Sequence, residues 1–408
     1  MCTWRRLTFL LIVVCAPADA WGQRLPEGPL TTARGTVTVG GEITVTTGSR
    51  DDIAFFNYTD YEHNALRMFR MSLSAMWRPA ARLAFLTELR SEDAQRVIPY
   101  ALYVRVRPWK DRAIAVQAGR IPPVFGAFAR RSYGANNPLI GYPLAYQYLT
   151  SLRPDALPAT ADDLLGMRAR GWRANYPVGN VAPGPGVPLV SAYRWDTGVQ
   201  VHASTGRLEG ALAVTTGTLS NPRVREDNNR PQLSGRVAWT PTVGLVLGAS
   251  AARGAFLTEP IENAIASLTP RATHHQRGLG LDAEYSRGYW IVRGEVIQSR
   301  WNLPALAAPQ IDGPLDAWAA FVETRYRITP RIFAAARADR LTFSRIRGAR
   351  LFGGQPTTWD APVTRLEAGG GLYLQRNLTL RAVVQRNWRD AGRVRNRTFV
   401  SGQLAYWF

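Results

Sequence analysis

The sequence predicts an all-β fold, a transmembrane antiparallel β-barrel of about sixteen strands with short periplasmic turns and a long third outer loop folded into the lumen. Three observations lead there. Beyond the first twenty residues, no apolar run approaches the ~18 residues that a membrane-spanning helix requires. From about Thr36 onward, segments of roughly ten residues alternate apolar and polar side chains, the period of a strand with two different faces. The connections between these segments alternate long and short without a break, which gathers the long ones at one end of the sheet.

Taken in order, the chain opens with Arg5 and Arg6, an apolar run from Leu7 to Ala16, and Ala18-Asp19-Ala20, the pattern of a cleavable signal peptide over residues 1–20. About ten apolar residues are too few to cross a bilayer as a helix, which needs ~20. Both cysteines, Cys2 and Cys15, fall inside this segment, so disulfides and thiolate metal sites are not expected in the exported chain. Residues 21–35 form a periplasmic N-terminal segment, and residues 36–408 the outer-membrane barrel. Strands are predicted near 36–47, 64–77, 83–91, 98–108, 113–120, 192–203, 208–216, 232–240, 245–253, 277–286, 289–301, 315–326, 331–342, 362–374, 378–388 and 398–408. An even strand number leaves both ends of the barrel chain in the periplasm. The connection 121–191 is the third outer loop and the longest. Loops beyond ~15 residues usually carry function or are disordered. Phe125, Phe128, Tyr133, Ile140, Tyr142, Tyr146 and Tyr148 argue against disorder, and the nearest surface for them is the barrel interior.

The strand faces support this plan. In 315–326, Trp318, Ala320, Val322, Thr324 and Tyr326 share one side, opposite Ala319, Phe321, Glu323 and Arg325. Charged residues at constant parity are tolerated in a membrane barrel where that side lines water. Trp77, Trp239, Tyr285, Trp290, Tyr326 and Tyr373 fall at periplasmic strand ends, and Tyr100, Trp301, Trp318 and Trp388 at outer ends, as expected of rings seated at the headgroup level.

Formal charge is +20, and Lys110 is the one lysine, so the positive charge is arginine. Such a balance favours anionic partners. Nucleic acid is not expected, because no dense basic run or recognition motif is present. By parity the lumen receives Arg105, Arg107, Arg236 and Arg381 from strands without a same-strand acid, predicting an arginine track along one side of the pore. Arg120, placed on the lumen face at the end of its strand, and Arg130, Arg131 and Arg153 of the long loop are candidate constriction residues that would favour anions. The bland alternative is pairing with Asp155, Asp162 or Asp163. Arg168, Arg170 and Arg173 alternate in a short stretch that reads as a hairpin outside the pore.

Two resemblances follow from these residues. The terminal strand, with Val400, Leu404, Tyr406 and Phe408 on one face, resembles the C-terminal signature of outer-membrane proteins; this implies recognition by the barrel-assembly machinery through Leu404, Tyr406 and Phe408. The run Ala118-Gly119-Arg120-Ile121-Pro122-Pro123-Val124-Phe125-Gly126 resembles the start of the pore loop in the phosphate-selective porin family and its relatives, with Gly119, Pro122, Pro123, Phe125 and Gly126 as the matching positions. The resemblance implies a channel for small anionic solutes, a homotrimer surrounded by outer-membrane lipid, and a constriction built by the third loop. It departs from the family in lacking the lysine cluster of phosphate-selective members.

Other readings are weaker. His202-Ala203-Ser204 resembles the His-x-Ser pair of outer-membrane phospholipases, but Thr216 stands where that family has Asn. His274-His275 has no acidic or thiol partner at ligand spacing, so neither a metal nor another cofactor is expected. About fifteen residues before the first strand are too few for a transporter plug. A structural or adhesive barrel closed by its own loop is the main rival to a channel.

Overall fold

The computed structural model describes residues 25–58, 63–225, 230–268, 274–304, 306, 311 and 313–408; the signal peptide expected at 1–20 lies outside them. Sixteen strands form the wall. They are β1 (Val37–Gly48), β2 (Phe69–Ala80), β3 (Leu83–Glu92), β4 (Ile98–Val106), β5 (Ile114–Ile121), β6 (Asp196–Thr205), β7 (Leu208–Thr215) and β8 (Gln232–Thr242). The second half comprises β9 (Leu245–Ala255), β10 (His275–Arg287), β11 (Trp290–Trp301), β12 (Leu315–Arg327), β13 (Ile332–Phe343), β14 (Val363–Gln375), β15 (Leu378–Arg389) and β16 (Asn396–Trp407). Each pairs antiparallel with its neighbour in sequence, and β1 pairs with both β2 and β16, which closes the barrel.

Closure removes every free sheet edge, the condition for strands to cross lipid. A short edge strand, Leu30–Thr32, continues the seam by pairing with Val37–Val39 of β1 below the end of β16. Two-residue turns such as Gly288-Tyr289 join strands at one end, and Gly288 there has φ +58, a conformation suited to tight hairpins.

Side-chain alternation follows the predicted parity. On β12 the outward Trp318 and Val322 are exposed, while Ala317, Ala319, Phe321 and Glu323 are buried. The apolar core lies inside the barrel rather than between layers, because loop 3 brings its aromatic residues there: Phe125, Phe128, Tyr142, Tyr146 and Tyr148 pack with Ile297, Phe321 and Phe333 of the wall. Boundaries differ from the expectation by more than three residues at two places. β2 starts at Phe69 rather than near 64, and β6 starts at Asp196 rather than 192, so loop 3 runs on to Trp195.

Candidate functional site

Loop 3 is built to enter the lumen. Gly119 has φ +124, and a Cβ there would lie 2.4 Å from the Leu102 carbonyl oxygen, so the strand can bend at this point with glycine alone. Pro122 and Pro123 then end the ladder, since neither can donate to it. Phe125 is buried, its ring seated over the inner-face glycines Gly278 and Gly280 of β10. Gly126 has φ +73, and its N–H donates to Ser250 Oγ at 3.1 Å. A side chain at Gly126 would meet the Tyr146 hydroxyl at 2.4 Å.

From there the loop crosses the lumen, bonded to the wall at successive strands. Glu295 of β11 accepts from Ala127 N–H and from the Tyr146 hydroxyl, both at 2.8 Å. Tyr133 donates to Glu88 of β3 at 2.7 Å, and the N–H groups of Gly134 and Ala135 donate to the two oxygens of Glu42 on β1, each at 2.9 Å. Arg70 of β2 holds the Tyr142 hydroxyl at 2.6 Å and Glu92 at 2.7 Å. On the opposite wall, Arg337 of β13 donates to the Gly141 carbonyl at 2.8 Å and to Asn137 Oδ1 at 3.0 Å, and Glu367 of β14 accepts from Gly141 N–H at 2.9 Å. The short helix α1 (Leu144–Gln147) follows, and Gln147 reaches the Asn57 carbonyl of the first outer loop at 2.6 Å. Inner-face residues on this level, including Arg365, Gln385 and Asn387, are fully buried. Loop 3 therefore fills the long-loop half of the lumen.

Below loop 3 the lumen is more accessible and basic. Arg131, in the turn Ala129–Arg131, pairs with Glu284 of β10 at 2.9 Å. Glu284 also meets Arg293 of β11 at 2.8 Å, and Arg293 reaches Glu323 of β12 at 3.5 Å. Arg105, Arg131, Arg236, Arg293 and Arg325 are partly exposed to this space together with Glu209 and Glu284, while Arg381, Asp282 and Glu323 are buried in its wall. Arg105 touches Met76 sulfur, and Arg381 donates to Gln403, so neither has a carboxylate as its hydrogen-bond partner among the described residues.

Several expectations are corrected by this geometry. Arg120 is not on the lumen face. It pairs across with Leu102 and Thr197, in the outward row of Val116 and Val199, because Gln117 fixes the inner row and residue 120 has the opposite parity. Its guanidinium caps the carbonyls of Pro99 and Trp195. Arg153 is buried and tied to Asp155 at 2.8 Å and to the carbonyls of Ala174 and Ala182, a structural role within loop 3. Arg130 lies in the same turn as Arg131. Arg105, Arg236 and Arg381 belong to β4, β8 and β15, strands spread round the barrel, so they form no continuous track; Arg107 stands at the rim beyond β4. Arg236 is moreover paired with Asp282 at 2.6 Å, reaching past Gly248 of β9, whose missing side chain leaves the path clear. Arg168, Arg170 and Arg173 lie in the turns after helix α2 (Ala161–Gly166), not in a hairpin.

Loop carboxylates missed by sequence reasoning organise the outer surface. Asp360 accepts from the N–H groups of Ser151, Ala169 and Ala361 at 2.7 to 2.8 Å, while burial raises its carboxyl above the ordinary value. Asp51 of the first outer loop accepts from Asn57 N–H at 2.9 Å, and burial pushes its carboxyl up to about 7. No spacing rule marks either residue. His202 and Ser204 lie near the short-turn end of β6, whereas Thr216 bonds Asp196 at the other end, so the three do not converge. Among the described residues no group of His, Cys, Asp and Glu is arranged to hold a metal.

No protein-family model matches the sequence, and no curated protein is similar to it in sequence. Solved structures do match. An outer-membrane expressed OmpT of Vibrio cholerae aligns at 9% identity over 93% of this chain and 100% of that one, with a TM-score of 0.53. OmpF of Salmonella typhi, solved with daunomycin, aligns at 10% identity over 91% and 97%, with a TM-score of 0.54. The outer-membrane channel DcaP of Acinetobacter baumannii aligns at 8% identity over 93% and 99%, with a TM-score of 0.51. The fold is porin-like. Identities this low establish the architecture and leave the solute and the phosphate-selective likeness to other arguments.

Proposed function

We propose that the chain is an outer-membrane porin-like channel for passive diffusion of small hydrophilic solutes, with a preference for anions. It is exported by the cleaved segment 1–20, assembled by the barrel-assembly machinery through Leu404, Tyr406 and Phe408, and embedded in outer-membrane lipid as a homotrimer with its short turns in the periplasm. The carrying observation is the basic space beneath loop 3, where Arg131 projects from the loop toward Arg293 and Glu284. Fixed cations in a low-dielectric tube concentrate anions. No hydrolytic role is proposed, and no cofactor.

The test is reconstitution into planar bilayers under a salt gradient. Small conductance steps with an anion-directed reversal potential are expected, and Arg131→Gln is expected to move that potential toward zero. Absence of steps, or a cation-directed potential, overturns the reading. One observation favours a second reading, a barrel plugged by its own loop: loop 3 bonds to β1, β2, β3, β11, β13 and β14 around the lumen. Steps absent from the intact chain but present once loop 3 is shortened would select it.

A further inference from the structure

The outward face of β9 to β15 carries charge where lipid tails would otherwise meet the wall. Arg253 stands directly across from Arg277, and Arg277 directly across from Arg300, on the adjacent strands β9, β10 and β11. All three share parity with exposed apolar residues, among them Leu247, Leu279, Leu281 and Val296, so they point out of the barrel. Arg300 is held by both oxygens of Asp316 at 2.7 and 3.0 Å. Arg253 and Arg277 have no hydrogen-bond or ion-pair partner among the described residues, and both are exposed. Like charges directly opposite on neighbouring strands disfavour the sheet unless an anion lies between them.

Their height is informative. Arg253 is eight residues along β9 from Leu245, Arg277 ten residues before the end of β10, and Arg300 ten residues after Trp290. Strands rising ~3.3 Å per residue at a tilt of ~40° put these positions roughly 20–25 Å above the turns, at the edge of the ~25 Å apolar band of such barrels. Arg340 of β13 and Arg386 of β15 stand eight residues above their own turns, outward and bonded to the hydroxyls of Thr364 and Thr398. The outward long-loop ends of β2, β3, β4, β7 and β8 instead carry Met71, Leu89, Leu102, Val214 and Leu233; Arg120 of β5 is turned onto two carbonyls. The basic belt thus covers one side of the barrel at a single level.

We infer that Arg253, Arg277 and Arg300 form a binding site for the phosphate groups of a phosphorylated glycolipid in the outer leaflet, with Arg340 and Arg386 extending it round the wall. Arginine suits this partner because its fork donates two parallel hydrogen bonds to a phosphate, and a headgroup with two phosphates can bridge adjacent strands. Acyl chains would then lie over Leu247, Leu279 and Leu281. The inference rests on the outer-membrane placement proposed above and not on conduction, so loss of channel activity with lipid binding intact would leave it standing.

The experiment uses the full chain in detergent, with native mass spectrometry to count bound lipid. Bisphosphorylated lipid A, the same lipid with both phosphates removed, and inorganic phosphate are the probes. Retention of bisphosphorylated lipid A is expected, with affinity at least tenfold lower in R253Q/R277Q and at least threefold lower in Arg277→Gln, a single change on the outer surface. The phosphate-free lipid should bind the unaltered chain no better than the double variant binds lipid A. Equal binding of the two lipids, unchanged binding by the variants, or full displacement by millimolar inorganic phosphate overturns the inference. So does loss of an oligomer in the double variant with lipid binding unchanged, which would assign the belt to a second copy of the chain.

Discussion

The pair that decides how firmly loop 3 is held is Tyr146 and Glu295. The hydroxyl donates to a carboxylate that is itself buried, and no cation among the described residues forms a salt bridge with Glu295. Removing the donor leaves an acceptor short of a partner in a dry site, a change that costs about 1–3 kcal/mol. Tyr146→Phe is therefore expected to loosen residues 125–147 without unfolding the wall, seen as faster amide exchange in the loop and an unchanged melting transition of the barrel. Equal exchange in both proteins would mean that the remaining bonds to Glu42, Glu88 and Glu367 suffice. A second residue-scale effect concerns Asp51. Its folded value of about 7 lies above the ~3.9 of an unfolded chain, so the folded loop binds the proton more tightly. Stability from this group is complete below pH ~4 and is lost as pH rises through about 7. Amide protection around residues 51–58, taken relative to the base-catalysed intrinsic exchange rate at each pH, should fall between pH 5 and pH 8 in the native chain. In Asp51→Asn it should stay constant, because nothing at that position titrates.

At the scale of elements, the seat of Phe125 makes a sharper case. Gly278 and Gly280 leave the inner face of β10 bare where the ring lies, and a Cβ at Gly280 would stand 3.1 Å from it. Gly280→Val should push the ring out, at the ~1–3 kcal/mol typical of overpacked sites. Protease cutting within residues 121–135 should increase severalfold while the barrel resists. How much of this was legible in the sequence varies with the physics behind each element. Lipid on one side and polar lumen on the other impose a period of two, so strand count, inner parity at Arg337, Glu323 and Glu367, and the inward course of loop 3 could all be read. Arg120, assigned to the lumen from the sequence, stands outward, and Gln117 three residues earlier, at the opposite parity, was the signal that could have shown it. The salt bridge from Arg236 to Asp282 was not. It skips a strand and depends on the empty position at Gly248, a contact that no same-strand count of acids can anticipate. Asp360 is likewise invisible, because its N–H donors come from Ser151 and Ala169, about 200 positions away in the chain.

For the whole molecule, the wall and its filling are separable. Every wall strand pairs with both of its neighbours, and closure by β1 and β16 does not pass through loop 3. The loop contributes instead by neutralising inner-face charge: Glu42 faces backbone N–H groups of the loop, and Arg337 and Arg365 donate to loop carbonyls. Replacing residues 125–150 with a short linker should thus leave a folded barrel whose inner face is hydrated rather than paired. Heat-modifiable migration on gels should persist with a lower transition temperature, since the buried apolar contacts of Phe128, Tyr142 and Tyr148 are gone. Conductance should rise severalfold over the intact chain. Its selectivity should also weaken, because Arg131 leaves with the loop while Glu42, Glu295 and Glu367 become exposed to the lumen. A shortened chain that failed to fold would show that the filling is needed to form the wall. One that folded with unchanged conductance would place the limiting constriction outside loop 3.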